Sequence, residues 1–136
     1  MGLFDRPTDG TTVHLEGQRS IKVVGTSHYE RAIRKVAKTH PESTESGAPR
    51  IPFTATLEPE RNNPHDANAI AVHVGSRMVG HLSRADAKAY RPALERLSRQ
   101  GKVTAQGYIY AGFRGGSSWS LGVKLPTVKQ FEDYGQ

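Results

Sequence analysis

Apolar side chains recur at every second position through the middle of this chain, and that period commits it to strands. Ile70, Val72 and Val74 alternate with Ala71 and His73; after Gly75-Ser76 the run Met78 to Leu82 follows, which predicts a hairpin. Phe53, Ala55 and Leu57 alternate with Thr54 and Thr56 in the same way. Val103, Ala105, Gly107 and Ile109 form one face of a further strand, with Gln106, Tyr108 and Tyr110 on the other. Ile21 to Gly25 and Trp119 to Leu125 complete a set of six.

Two helical patterns interrupt the strands. Tyr29, Ala32, Ile33 and Val36 fall at i, i+3, i+4 and i+7, with Ser27 as the expected N-cap and Glu30 three residues on. Ser83 and Asp86 form a second capping pair, and Pro92 is expected to break the helix they open, leaving Leu94 and Leu97 in a separate piece that stops at Gly101. With helices only after the first and fourth strands, regular βα alternation is missing. The expected class is therefore mainly β (α+β): a small OB-like six-stranded antiparallel barrel with two or three short helices.

The 136 residues suit one domain. Residues 1–17 are polar and turn-rich and read as a flexible segment, 18–126 as the domain, 39–50 as a loop insertion, and 127–136 as a polar tail. Hydrophobic residues are 35% of the chain, against about 45 to 50% in typical globular domains, so the core must be small. There is no cysteine, which excludes disulfides, thiolate zinc sites and cysteine nucleophiles and agrees with a cytoplasmic setting. No apolar run approaches the ~18 residues of a membrane span, and the first residues carry no export signal, so neither membrane insertion nor secretion is expected.

The net charge of +6 is unevenly placed. Residues 17–50 carry seven basic and three acidic side chains, and residues 84–114 carry seven and two. Clustered cations of this kind suit a polyanion-binding face, because each one that meets a phosphate releases condensed counterions; a merely basic soluble surface accounts for the composition equally well.

The densest local chemistry lies in Glu58-Pro59-Glu60-Arg61-Asn62-Asn63-Pro64-His65-Asp66-Ala67-Asn68. Asn63 and Asp66 can act as Asx-turn residues that bond nearby amides and shape the approach to the strand, or as ligand contacts. Of the six histidines, His65, His73 and His81 with Asp66 are conceivable metal ligands, but no HExxH or HxH pair occurs and no metal or other cofactor is expected. Gly112 to Gly116 lacks the GKS/T ending of a phosphate-cradling loop and reads as a hairpin turn; no catalytic residue is assigned. Trp119 reads as core. Tyr108 and Tyr110 suit a stacking platform or a wet-edged rim of the core.

The run Asn63-Pro64-His65-Asp66-Ala67-Asn68-Ala69-Ile70-Ala71-Val72, with Val79-Gly80-His81-Leu82 after it and Val24-Gly25 and Tyr29 before it, resembles the HIRAN domain over about residues 20–125. HIRAN modules stand at the front of helicase-like, fork-remodelling ATPases and also occur as standalone bacterial proteins. The resemblance implies an OB-like barrel that binds single-stranded DNA, in particular a free 3′ end, in DNA repair or processing, with a protein partner in that work. It further implies that Asn63 and Asp66 hold the terminal nucleotide, with Asp66 accepting from the 3′-hydroxyl. Tyr29 and Tyr110 would contact bases, and His81 and Arg84 would line the phosphate path. His28 and His65 stand where the family carries aromatics, and Ser27 where a basic residue is usual. The alternatives are a protein-interaction or regulatory module of the same fold, and a metal-dependent hydrolase.

Overall fold

The computed structural model describes residues 12–38, 50–110 and 120–133. In chain order these form β1 (Thr12–Leu15), β2 (Arg19–Val24), a 3-10 turn (Thr26–Tyr29), α1 (Glu30–Lys38), β3 (Arg50–Pro59), β4 (Ile70–Val74) and β5 (Arg77–Leu82), followed by α2 (Arg84–Ser98), β6 (Lys102–Tyr110), β7 (Ser120–Leu125) and α3 (Val128–Glu132). Of the expected loop at 39–50 only Arg50 is among the described residues, where it begins β3; the rest of that loop, the Gly112–Ser118 turn and Trp119 lie outside them.

Six strands close a barrel in the order β6-β3-β4-β5-β2-β7, with β7 returning to β6, and every pairing within it is antiparallel. The alternating apolar residues point inward as expected: Ile51, Phe53, Ala55 and Leu57 from β3, Val103, Ala105 and Ile109 from β6, Leu121, Val123 and Leu125 from β7. Ile33 and Val36 of α1 and Leu94 and Leu97 of α2 join the same core. Gly80 lets β5 approach β2: a Cβ there would stand 2.5 Å from Val23 Cγ1 and 2.7 Å from the Val24 carbonyl oxygen.

Thr12–Leu15 and Val128–Glu132, inside the segments expected to be flexible and polar, form regular elements. Thr12–Leu15 forms a seventh strand, parallel to β6 and paired with Lys102–Ala105, while β7 takes Gly107–Tyr110 on the same strand. Leu15 is buried by this pairing. At the other end Thr127 and Gln130 form a reciprocal capping box for α3, whose Phe131 is fully buried with its ring centroid 5.3 Å from that of Tyr90. The Tyr90 hydroxyl donates to the Pro126 carbonyl at 2.7 Å, and burial pushes this phenol above its ordinary value.

Two local expectations are corrected. Ser27 lies inside the 3-10 turn; the residue before that turn is Gly25 at φ 73°, a left-handed conformation that glycine adopts without a Cβ clash. Pro92 does not break α2, which runs unbroken over 15 residues. Pro92 and Lys88 are both exposed, so water can satisfy the Lys88 carbonyl that the missing proline N–H leaves without its helical donor. The Ser83 cap forms as expected, its hydroxyl accepting from the Asp86 amide at 3.1 Å.

Candidate nucleic-acid interface

The β3–β4 connection is an ordered loop held by its own side chains. Its base is closed by the Glu60 amide donating to the Ala69 carbonyl at 2.9 Å, and Arg91 Nη1 of α2 donates to the same oxygen at 2.7 Å. Asn63 Oδ1 accepts from the amides of His65 and Asp66 at 2.8 and 3.0 Å, so the Asx turn is present. Asp66 Oδ1 accepts from the Asn68 amide at 2.9 Å, which leaves Oδ2 of a half-buried carboxylate without a hydrogen-bond partner among the described residues. Loop shaping thus uses one oxygen of Asp66 and leaves the other open.

Glu60 ties this loop to the barrel. Its Oε1 accepts from Asn63 Nδ2 at 3.0 Å and from His81 Nε2 of β5 at 3.1 Å. A carboxylate only accepts, so the His81 proton facing it sits on Nε2. The His81 ring centroid lies 6.4 Å from that of Tyr29, and Tyr29 lies 6.4 Å from exposed His28 in an edge-on arrangement. From the start of α2, Arg84 Nη2 donates to the His65 carbonyl at 2.7 Å. Tyr29, Asn63, His65, Asp66, His81 and Arg84 are therefore drawn to one side of the barrel by three tethers: Glu60, Arg84 and Arg91.

Sequence reasoning did not single out Glu60 or Arg91. Arg91 had a signal, since it shares the apolar helix face of Ala87 and Leu94 and is only 8% exposed. Glu60 had a weaker one, its place three residues before Asn63; its reach to β5 is visible only in three dimensions.

Tyr110 stands apart from this cluster. It pairs with Ser120 of β7; Leu121, next along, pairs with Val23 of β2, whose neighbour Val24 pairs with His81. Two strands thus separate Tyr110 from His81, about 14 Å at ordinary strand spacing. Tyr108 and Tyr110 lie with centroids 6.5 Å apart on the outer face of β6.

Beside the loop runs a groove of about 820 Å³ lined by Glu58, Glu60, Asn63, His65, His73 and Met78 among others. Its electrostatics are mixed. His73 Nε2 lies 3.6 Å from Glu58 Oε2, matching the His81 and Glu60 pair, and Arg61 is a cation on its rim. Carboxylates here repel phosphate but accept readily from hydroxyl and amino groups, so the groove suits the sugar and base side of a nucleotide.

Among the described residues no group of three or more His, Asp or Glu side chains is placed to hold a metal ion, and no helix is long and apolar enough to cross a membrane.

Comparison with curated proteins returns no match. The crystal structure of the HIRAN domain of human HLTF is similar to this chain at 21% sequence identity and a TM-score of 0.45, over 88% of this chain and 86% of that one. The family described as the HIRAN domain matches residues 16–113, which include β2 to β6, the loop and every residue of the cluster above. This chain belongs to the HIRAN domain family.

Proposed function

We propose that this HIRAN domain binds single-stranded DNA and seats its 3′-terminal nucleotide at the β3–β4 loop, acting by binding rather than by chemistry of its own. The observation that carries the reading is the Asp66 carboxylate: one oxygen is held by the loop and the other is open, on a loop that Glu60 ties to His81, whose ring centroid lies 6.4 Å from that of half-buried Tyr29. Tyr29 supports the terminal base, for which stacking is worth about 1 to 3 kcal/mol. Arg84, beside the loop, neutralises the adjacent phosphate with the guanidinium nitrogens that the His65 carbonyl does not use. His28 and His65, both exposed, flank the same nucleotide. Tyr110 acts as a separate contact for a base further along the strand. A module of this kind delivers an associated DNA-processing protein to single-stranded ends.

The test is binding of a fluorescent oligonucleotide ending in 3′-OH against the same strand ending in 3′-phosphate. A hydroxyl can donate to Asp66 Oδ2, whereas a phosphate sets negative charge against it. Wild type should prefer the hydroxyl by roughly tenfold, since an unpaired buried acceptor costs about 1 to 3 kcal/mol. Asp66→Ala should erase most of that preference while retaining the wild-type melting curve to within a few degrees. Equal binding of the two ends by wild type would refute the assignment.

A further inference from the structure

The β4–β5 hairpin is a wall between two grooves. His73 and Met78 line the groove beside the loop, whereas Val74 and Arg77, their neighbours in the chain, line a second groove of about 650 Å³ on the other side. The second groove also receives Lys35 from α1, Pro52 and Thr54 from β3 and Gln106 from β6. We propose that a single strand whose 3′ end lies at the loop continues alongside α1 into this second groove, where Lys35 and Arg77 hold its phosphodiester backbone.

The charges of the two grooves differ in kind. Among the described residues, Glu58 and Glu60 line the first and no carboxylate lines the second. Lys35 and Arg77 are exposed there, and neither forms an ion pair among the described residues, whereas Arg34 of the same helix is bound to Glu30 at 2.7 Å. Pairs of cations over an apolar floor of Pro52 and Val74 suit phosphates with sugars beneath them. Phe53, the one aromatic among the described residues of the groove, is only 6% exposed, so it offers no stacking platform, and the contact is indifferent to base sequence.

α1 leads from the proposed 3′-end site to the second groove. Tyr29, at the terminal-nucleotide site, immediately precedes the helix, and Lys35 lies six residues on, about 9 Å along the axis. At the ~3.4 Å rise of stacked bases that is two to three nucleotides. Arg31 and Lys38 are exposed on the same helix and extend the cationic run. The expected footprint is therefore about four to five nucleotides, acidic and end-reading at the 3′ side, basic and backbone-binding on the 5′ side.

This inference rests on the proposed 3′-end site, and a length series separates the two. Oligodeoxythymidylates of two to eight nucleotides with 3′-OH ends, followed by fluorescence anisotropy at several salt concentrations, should bind wild type with affinity that rises to about five nucleotides and then levels. In the Lys35→Ala, Arg77→Ala double variant the dinucleotide and its 3′-OH preference should be unchanged. The same variant should lose roughly tenfold on the octamer, with a salt slope shallower by about 1.4, or ~0.7 for each of two single-strand phosphate contacts. The charge-retaining pair Lys35→Arg, Arg77→Lys should keep the octamer affinity. Octamer binding by the alanine variant equal to wild type, or wild-type affinity that stops rising at two nucleotides, overturns the second groove and leaves the 3′-end site standing. Loss of 3′-OH preference in wild type overturns the end site first.

Discussion

Replacing Glu60 with alanine should lower both stability and 3′-OH preference while raising overall affinity for DNA at low salt. The carboxylate Oε1 accepts at 3.0 Å from Asn63 and at 3.1 Å from His81, and both donors lose their partner in the variant. Hydrogen bonds to a charged group are worth about 1.5 to 3 kcal/mol each where water is excluded. Glu60 and His81 are each 26% exposed, so water replaces part of the loss and about 1.5 to 3 kcal/mol in total is the reasonable expectation. For a domain of this size that is a fall in melting temperature of roughly 5 to 10 °C. Glu60→Gln keeps an acceptor and should lose about half as much. Without the tether, Asn63 and His81 no longer fix the loop against β5, so the 3′-OH preference should fall several-fold. Removing a negative charge from the groove should meanwhile strengthen overall binding of DNA at low salt. Thermal unfolding by circular dichroism and anisotropy with 3′-OH and 3′-phosphate oligonucleotides read the two effects separately. A variant with wild-type melting and undiminished end preference would refute the view that Glu60 organises the site.

Arg84→Ala should weaken binding and make the salt slope shallower by about 0.7, and because Arg84 also holds the His65 carbonyl, it should reduce end preference, which Arg84→Lys restores only in slope. Tyr110→Ala, two strands from His81, should cost about 1 to 3 kcal/mol on DNA long enough to reach it and leave both slope and end preference unchanged in anisotropy titrations. Gly80→Ala should be among the most destabilising single changes, since its Cβ would stand 2.7 Å from the Val24 carbonyl oxygen; soluble expression and melting temperature report it. Burial raises the Tyr90 phenol above its ordinary 10.0, so the neutral form favours folding, and its contribution is full below that value and lost as pH rises through the raised one. Tyr90→Phe should remove that part of the alkaline fall in melting temperature, at about 0.5 to 1.5 kcal/mol for the lost bond to Pro126.

The barrel was legible wherever a strand buries one face. In β3 and β6 the two-residue period is long enough to stand out and the predicted side is inward; in β4 Ile70 and Val72 are buried as predicted, but a bulge after Val72 leaves Val74 half-buried. β1 was not legible, because four residues with a single well-buried apolar side chain carry little period and its partner lies 90 residues away. α3 was hidden for a similar reason: Phe131 alone anchors a five-residue helix, and only the Thr127 and Gln130 capping pair announces it. Pro92 misled because the rule against helix-interior proline assumes that the freed carbonyl has no other donor, and an exposed helix face supplies water. At the site, the Asn-Pro-x-Asp run marked the loop. The gathering of His81 and Arg84 around it depends on the Glu60–His81 bond and the bond from Arg84 to the His65 carbonyl, whose partners sit 21 and 19 residues apart. The distance of Tyr110 from the loop follows from barrel register, which local pattern does not encode.

Titration of ¹⁵N-labelled protein with a short 3′-OH single strand, followed by amide chemical shifts, tests the site most directly. The account predicts that Tyr29, Asn63, His65, Asp66, Asn68 and His81 move first and saturate together, and that the 3′-phosphate strand at equal concentration moves them far less. Shifts centred on Tyr108 to Tyr110 and β7 with the loop unmoved, or identical shifts from both strands, would contradict it.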